Sequence, residues 1–243
     1  MSEQKGSRGL AGAVLKLLGA GDYRLTVTGR REISPHYVRL SFSAPDMLAD
    51  HPPHPTMWIR MWFADGDKLH QRGYTLVDPD PAAGRVHIEF TLHRGLASRW
   101  AEVARPGDVI KATVMGSKFK IPQPSPAGYV IVGDTASLPA INSLLNAIDD
   151  VPAQVFLEAG YADDKDLPVA CDDAITWVDR EDGGEALVRT VKSAAFDATD
   201  HFGWVACDSR TTRSVTKVLQ NDFGIPRKSI AARAYWMVGR SMG

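Results

Sequence analysis

A proline-rich segment near the middle of the chain separates two stretches that have different residue patterns. The segment IPQPSPAG, residues 121–128, combines three prolines with a final glycine, which is typical of a linker between domains. A chain of 243 residues is long enough for two domains. The sequence therefore predicts one domain over residues 21–122 and a second over residues 128–243, with residues 1–20 as a lead-in segment.

The region before this linker has the pattern of an all-β domain. Short apolar stretches with period-two character alternate with turn residues, and no long helix lies between them. Six strands are predicted: Arg24–Val27, Tyr37–Phe42, Thr56–Phe63, Arg72–Leu76, Arg85–Leu92 and Asp108–Val114. A single short helix is predicted from an N-cap at Ser98 to Ala104, and Val77–Asp80 is expected to form a turn. We therefore predict a six-stranded antiparallel β-barrel.

The region after the linker alternates strands with helices. Apolar residues at helical spacing between Leu138 and Ile148 predict one helix, and two more are expected near Gly184–Ser193 and Thr211–Asp222. The strands predicted around them are Tyr129–Val132, Gln154–Ala159, Ala174–Val178, Gly203–Cys207 and Ala231–Val238. Such alternation is typical of a mostly parallel sheet with flanking helices, so the predicted fold class is a β-barrel followed by an α/β domain.

Composition and missing motifs exclude several functional classes. The net charge of −1 gives no general attraction to nucleic acid. The two cysteines, Cys171 and Cys207, form no C-x-x-C pair, which excludes a cysteine-rich metal site and makes the reducing cytoplasm the default compartment. The signatures of nucleoside triphosphatases, zinc proteases and serine hydrolases are missing as well. The sequence thus predicts no metal site and no catalytic acid, base or nucleophile.

The segment at residues 8–21 has apolar residues at helical spacing and one lysine. It is far shorter than the run of ~20 apolar residues that spans a bilayer. Two interpretations remain open. The segment is either a lead-in helix packed on the first domain, or its residues 8–20 contact a membrane surface or a partner.

The stretch Arg72-Gly73-Tyr74-Thr75 combines the side chains that a flavin dinucleotide needs. The guanidinium can pair with pyrophosphate oxygens, the phenol ring can lie against the isoalloxazine, and the hydroxyl can bond a ring nitrogen. In a regular strand, residues 72 and 74 share one face and residue 75 points away, unless the glycine distorts the pleat. The alternative is an ordinary surface strand that carries an arginine and a tyrosine.

Two further segments have features of anion sites. HRGLASRW, residues 93–100, leads from a glycine-containing loop to a predicted helix start, where backbone N–H groups and the helix dipole attract negative charge. VGDTASLPAI, residues 132–141, is the first strand-to-helix turn of the α/β domain, where ligands of such sheets bind. Asp134, Thr135 and Ala136 are predicted to open that helix, with Pro139 in its first turn.

These motifs, with a fourth near the C-terminus, resemble those of the siderophore-interacting proteins, which are flavin-dependent ferric-siderophore reductases related to the ferredoxin reductase superfamily. The four matches, in order, are Arg72–Thr75, Gly95–Trp100, Gly133–Pro139 and Ala234–Arg240. The two ends of the chain are further similar to the amino-terminal domain of mycobacterial iron-regulated ABC importers. That similarity implies one domain of a longer transporter subunit, with ABC transporter membrane domains as partners at the cytoplasmic face of the membrane.

The resemblance also implies an FAD site to which both domains contribute. The implied contacts are Arg72, Gly73, Tyr74, Thr75, His93, Gly95, Ala97 and Ser98 from the barrel, and Asp134, Thr135, Ala136 and Trp236 from the second domain. Tyr235 and Trp236 match an aromatic pair near the flavin, or alternatively pack in the core as part of a last strand. Met237 stands where the family often has a basic residue, which favours a nearly neutral siderophore such as mycobactin.

The predicted function is FAD-dependent reduction of a ferric siderophore by NAD(P)H. Siderophore oxygens hold Fe³⁺ far better than Fe²⁺, so one-electron reduction is the step that releases iron. Arg180, Arg210 and Arg213 follow predicted strands and either meet a 2′-phosphate, which would favour NADPH, or are simply solvated. Two alternatives remain open: a general NAD(P)H:flavin or ferredoxin-type reductase, and a siderophore-binding module without turnover.

Overall fold

The computed structural model describes residues 22–114, 118–171 and 175–239. The lead-in segment and Arg240 lie outside these ranges, so the expectations for residues 1–20 and for the end of the last motif stay predictions. The chain forms two compact units that divide between Phe119 and Lys120. None of the helices in the described ranges has both the length and the apolar character that a membrane span needs.

The first unit is built on a seven-stranded antiparallel sheet. Its strands are β1 (Asp22–Ser34), β2 (Tyr37–Ser43), β3 (Trp58–Asp65), β4 (Lys68–Thr75), β5 (Val77–Asp80), β6 (Arg85–Thr91) and β7 (Val109–Thr113). Hydrogen bonds join them in the order β4-β3-β7-β1-β2-β6-β5. Among the described residues, the unit also contains the helices α1 (Pro45–Asp50) and α2 (Leu96–Val103).

The sheet curls into a barrel because its two edge strands are consecutive in the chain. β4 and β5 lie at opposite ends of the hydrogen-bonded order, yet only Leu76 separates them. Tyr74 of β4 contacts Phe90 of β6 across this junction, with ring centroids 4.4 Å apart. Fully buried apolar side chains such as Leu40 and Ile59 fill the interior and stabilise it by removing apolar surface from water. The predicted antiparallel barrel is confirmed.

Three details of the barrel differ from the prediction. Val77–Asp80 is a seventh strand and not a turn, because it pairs with β6 through an irregular register in which Asp78 has a φ of 45°. Helix α1 was not predicted, since six residues are too few to show helical periodicity. Helix α2 begins at Leu96, two residues before the predicted cap, because the Ser98 hydroxyl is bonded to the preceding loop.

The second unit is a five-stranded parallel sheet with helical connections. Its strands are β8 (Tyr129–Asp134), β9 (Ala153–Ala159), β10 (Ile175–Asp179), β11 (Phe202–Ala206) and β12 (Ile230–Ala232), in the order β10-β9-β8-β11-β12. The helices are α3 (Leu138–Ile148), α4 (Glu185–Ser193) and α5 (Ser209–Asn221). Short 3-10 turns lie at Ala162–Asp166, Asp182–Gly184 and Arg227–Ser229. The predicted mostly parallel sheet with helices is confirmed.

The strand order creates a switch point at the centre of this sheet. From β8 the chain moves outward through β9 and β10, and it then crosses to β11 and β12 on the other side. The C-terminal ends of β8 and β11 therefore flank the position where open α/β sheets bind ligands.

The predicted strand Ala231–Val238 is wrong beyond Ala232. β12 ends there because its partner β11 ends at Ala206 and leads into α5. The following residues still run beside β11, since the N–H groups of Arg233 and Tyr235 each donate to a β11-side carbonyl at 2.9 Å. Trp236 thus lies outside the last strand, at the C-terminal end of the sheet.

Candidate functional site

The motif Arg72–Thr75 lies on a regular part of β4. Its pairing with β3 runs without a register shift, and Gly73 has no positive φ. Arg72 and Tyr74 pair with Met61 and Ile59, whose side chains are fully buried in the barrel core. The two motif residues therefore share the core-side face, whereas Gly73 and Thr75 point the other way.

Gly73 does not bend the strand. A Cβ on this residue would lie 3.4 Å from Cε3 of Trp58, which is ordinary contact with the indole across the β3–β4 ladder. The glycine thus gives Trp58 room on the outer face and leaves the alternation of the motif intact.

Tyr74 belongs to an aromatic cluster at the barrel junction. Its ring lies 4.4 Å from Phe90 and 6.0 Å from Phe63, centroid to centroid, and Trp100 of α2 joins the cluster through both phenylalanines. Burial raises the pKa of the Tyr74 phenol, so the hydroxyl keeps its proton at neutral pH. Tyr74 therefore has both a flat aromatic ring and a hydroxyl that can donate a hydrogen bond.

Arg72 and His93 come together although they lie on different elements. One N–H of Arg72 donates to the backbone oxygen of Gln71 at 2.7 Å, which leaves further guanidinium donors for a ligand. Burial, together with the nearby Arg72 charge, lowers the pKa of His93, so the imidazole is neutral at pH 7. The structure thus brings the Arg72–Thr75 motif of β4 close to the loop that follows β6.

The loop from His93 to Ser98 is closed by hydrogen bonds and by a glycine. The Ser98 hydroxyl accepts the N–H of His93 and donates to the oxygen of Thr91, both at 3.2 Å. A Cβ on Gly95 would lie 2.2 Å from Cε1 of His93, so no other residue fits without moving the imidazole. Gly95 is the N-cap of α2 and provides no side-chain cap. Within the described part of the chain, the N–H groups of the first helical turn, including those of Ala97 and Ser98, are therefore available to an anion.

These groups fit the cofactor that the resemblance implies. A guanidinium, an imidazole and a set of helical N–H groups are all suited to the oxygens of a pyrophosphate. Tyr74 supplies a ring next to them. The His93 ring occupies the space that a side chain at position 95 would need, so the loop is closely packed. The barrel therefore has the donors and the aromatic surface that FAD requires.

In the second unit, Asp134 ends β8 and closes the turn before α3. Ser137 donates its N–H to Oδ1 of Asp134 at 3.1 Å, and its hydroxyl accepts the N–H of Asp134 at 2.9 Å. Helix α3 then starts at Leu138, with Pro139 in its first turn as predicted. Asp134, Thr135 and Ala136 therefore form the turn and do not open the helix; Thr135 is buried and Ala136 is exposed.

Trp236 is bonded to this turn. Its indole N–H donates to Oδ2 of Asp134 at 2.7 Å, so both carboxylate oxygens are engaged. Burial raises the pKa of Asp134 even though these hydrogen bonds oppose the shift. Tyr235 packs edge-on against Trp204 at 6.2 Å, which agrees with a packing role for this residue.

Three residues at the same end of the sheet were missed or misjudged from the sequence. Glu158, near the end of β9, is 2% exposed and pairs with Arg180 at 2.6 Å. Arg180 also lies over the Trp236 ring, 4.7 Å from its centroid. Asp208 is the buried N-cap of α5. A sequence signal existed for the acids, since each stands at the end of a predicted strand, where ligands of parallel sheets collect.

The arginines considered for a 2′-phosphate differ in their surroundings. Arg180 is already engaged by Glu158 and Trp236. Arg210 pairs with Glu185 at 2.7 Å on the surface, and Arg213 is exposed.

Two family models match the chain. One, described as the siderophore-interacting FAD-binding domain, matches residues 27–116. The other, described as the siderophore-interacting protein, matches residues 126–239. The first covers the barrel motifs and the second covers the sheet with Asp134, Glu158 and Trp236.

Individual proteins with similar sequences or structures support these matches. The mycobactin import ATP-binding/permease protein IrtA of Mycobacterium tuberculosis is 36% identical over 98% of this chain, which spans 28% of the length of that relative. The NADPH-dependent ferric-chelate reductase of Escherichia coli is 26% identical, over 82% of this chain and 78% of the reductase. The crystal structure of the siderophore-interacting protein SipS from Aeromonas hydrophila has the same fold, with a TM-score of 0.79 at 22% identity over 91% of this chain and 94% of that one.

Proposed function

Because the chain belongs to the siderophore-interacting protein family, with a siderophore-interacting FAD-binding domain at residues 27–116, we propose that it is an FAD-dependent ferric-siderophore reductase. One observation carries the proposal. Arg72, His93 and the uncapped start of α2 gather donors for a pyrophosphate beside the ring of Tyr74.

We assign the FAD contacts of the barrel by the chemistry of each group. The Arg72 guanidinium and the N–H groups of Ala97 and Ser98 bind the pyrophosphate, and neutral His93 donates an additional hydrogen bond. Tyr74 lies against the isoalloxazine. Gly95 shapes the site by leaving room for His93. Gly73 and Thr75 support it from the other face of the strand, where Gly73 leaves room for Trp58 and Thr75 ends β4.

In the second unit we propose that Thr135, Ala136 and Trp236 reach the flavin and that Asp134 acts by orienting Trp236. Asp134 is an orienting residue because its two oxygens are bonded within the unit. Exposed Ala136 leaves the backbone of the turn open to a ligand at the switch point of the sheet.

A flavin supplies the redox chemistry, since it accepts two electrons as hydride and passes them on singly. We propose NAD(P)H as the donor, so that one NAD(P)H reduces two ferric siderophores to the ferrous form and yields NAD(P)⁺ and one proton. The relative named for NADPH supports the phosphorylated donor. Arg213, exposed at the start of α5, is the best candidate for its 2′-phosphate.

We further propose that the substrate is of the mycobactin type and that the chain acts beside the membrane domains of an importer, on the cytoplasmic side. The similarity to a mycobactin import protein over 98% of this chain supports this assignment. Met237 is uncharged, whereas the family often has a basic residue at this position next to Trp236. The missing positive charge suits a nearly neutral siderophore.

Rapid mixing tests the proposal. Purified chain loaded with FAD is reduced by NAD(P)H and then mixed with ferric mycobactin, with other ferric siderophores or with an oxidised ferredoxin, while flavin absorbance reports reoxidation. We expect the fastest reoxidation with ferric mycobactin. Faster reaction with ferredoxin would identify a general reductase, failure of NAD(P)H to reduce the flavin would identify a binding module, and a colourless chain that takes up no FAD would overturn the proposal altogether.

A further inference from the structure

Trp236 is held from three directions at the C-terminal end of the parallel sheet. Its indole N–H donates to Asp134 at 2.7 Å, and the guanidinium of Arg180 covers the ring at 4.7 Å. Its backbone oxygen accepts the N–H of Ser209 at 3.0 Å, beside an isolated bridge to Asp208. A side chain fixed by its edge, its face and its backbone has one orientation.

The stacking contact depends on a second residue, Glu158, through its bond to Arg180. Arg180 donates to Oε2 of Glu158 at 2.6 Å, and this ion pair sets the direction of the guanidinium. The other oxygen of Glu158 is buried and makes no hydrogen bond to any residue that the structure describes. Glu158 thus holds Arg180 through this one charge-assisted hydrogen bond.

We propose that Glu158 and Arg180 are positioning residues that hold the indole of Trp236 in one orientation, and that protonation of Glu158 releases it. This inference deepens the proposed function, since Trp236 is among the flavin contacts assigned above.

The surroundings of Glu158 place this protonation near neutrality. Asp134 lies beside it in the β8–β9 register, Asp208 and the buried thiol of Cys207 approach from the end of β11, and Arg180 follows β10. Asp164, in the turn after β9, points its Oδ2 at the N–H groups of Gly160 and Tyr161 instead. Burial raises the pKa of Glu158 to about 7; Arg180 opposes this shift, and Asp134 and Asp208 add to it.

The contact between Arg180 and the Trp236 indole is expected to weaken as the pH falls. Above that pKa the ionised carboxylate holds Arg180 over the indole through a charge-assisted hydrogen bond. Below it the neutral acid makes a weaker bond, and the guanidinium can turn toward solvent, where 28% of its side-chain surface already lies.

Near-UV circular dichroism can follow the orientation of this one indole. The chain has six tryptophans, so the spectrum of a Trp236→Phe variant is subtracted from that of its parent at each pH. We expect the Trp236 signal to fall as the pH drops through about 7. In Glu158→Gln, which has no charge at any pH, the signal is expected to be small and flat; in Arg180→Lys, which keeps the charge but lacks the planar group, it should be reduced even at high pH.

Glu185→Gln is the matched control, because Glu185 pairs with Arg210 at 2.7 Å in the same unit but on the surface. It should titrate like the parent. A transition that persists in Glu158→Gln, or an Arg180→Lys spectrum equal to that of the parent, would overturn the inference. Far-UV spectra verify folding, and Glu158→Asp, whose shorter reach must also weaken the signal, replaces the glutamine variant if that one is unfolded.

These measurements need neither flavin nor siderophore. If the rapid-mixing experiment fails but the Trp236 transition is seen, the proposed reaction is refuted and this inference stands. If the reaction is seen without the transition, the inference is refuted and the proposed reaction stands.

Discussion

The polar groups of the two predicted sites, in the barrel and in the parallel sheet, differ in how far they are bonded within the protein. In the barrel the interior is apolar, and within the described residues Arg72, His93 and the start of α2 have hydrogen-bond donors that the fold itself does not use. In the second unit, Asp134, Glu158 and Asp208 are 5%, 2% and 3% exposed, and their partners come largely from within that unit.

This difference separates two tasks. Donors left over by a rigid scaffold are suited to an external anion, because binding does not first have to break an internal bond. Acids that bond to an arginine, to backbone N–H groups and to a tryptophan determine the position of a side chain, and leaving any of them without its partner is costly. The barrel should therefore respond to substitution mainly in ligand binding, and the sheet mainly in stability and orientation.

The largest expected effect is at Arg72. Replacing it with alanine should weaken FAD binding by about 2 kcal/mol or more, because a charge-assisted contact to the pyrophosphate is lost. Titration of apo-protein with FAD, followed by flavin fluorescence, measures it. Arg85→Ala, which removes an exposed arginine paired with Asp80 at 3.3 Å, should leave affinity unchanged. Equal affinity for the Arg72 variant and the parent would refute the assigned role.

At Asp134 the expected loss is in stability. Asp134→Ala removes the acceptor for the Trp236 N–H and the Ser137 N–H, so the free energy of unfolding should fall by about 1–2 kcal/mol. Urea unfolding gives the value. Asp197→Ala, which removes an exposed carboxylate bonded to Thr199, is the control and should change little. Comparable losses for both variants would show that the buried hydrogen bonds of Asp134 contribute no more to stability than an exposed one does.

Two glycines in the barrel motifs should behave differently. Gly95→Ala places a methyl group on the His93 imidazole, so His93 must move and FAD binding should weaken by about 1 kcal/mol. Gly73→Ala meets Trp58 only at ordinary contact distance and should bind FAD almost like the parent. The same FAD titration compares them, and a larger loss for the Gly73 variant would mean that the strand does depend on this glycine for its shape.

A further expected effect is a pH dependence of stability. The folded chain keeps the Glu158 proton up to about pH 7, whereas the unfolded chain releases it near the ordinary value of 4.5. Between these values the unfolded state binds fewer protons, so this group makes stability fall as the pH rises. Urea midpoints at several pH values should show a steeper decline for the parent than for Glu158→Gln. Parallel curves would show that Glu158 does not titrate in this range.

The contrast also explains which parts of the site could be predicted. The barrel motifs are local: Arg72 to Thr75 lie on one strand and His93 to Ser98 on one loop, so short segments carry their own geometry. The network at the sheet is not local. The Arg180–Glu158 bond spans 22 residues and the Trp236–Asp134 bond spans 102, and no spacing in the sequence indicates either.

The seventh strand of the barrel was missed for a related reason. Asp78, Pro79 and Asp80 are residues that favour turns, and locally they predict one. Proline is tolerated at the edge of a sheet, where its missing N–H faces no partner strand. Only the closure of the barrel, which brings this segment back to β6, makes it a strand.

The sequence by itself predicted the two fold classes in their order and the short motifs that resemble those of a flavin-binding family, because periodicity, turn residues and short motifs act over a few neighbouring positions. The tertiary structure alone decided that Gly73 leaves β4 straight, that Arg180 serves Glu158 and Trp236, and that three buried acids meet at one end of the sheet. These outcomes depend on contacts between distant segments, where burial and packing outweigh local preference.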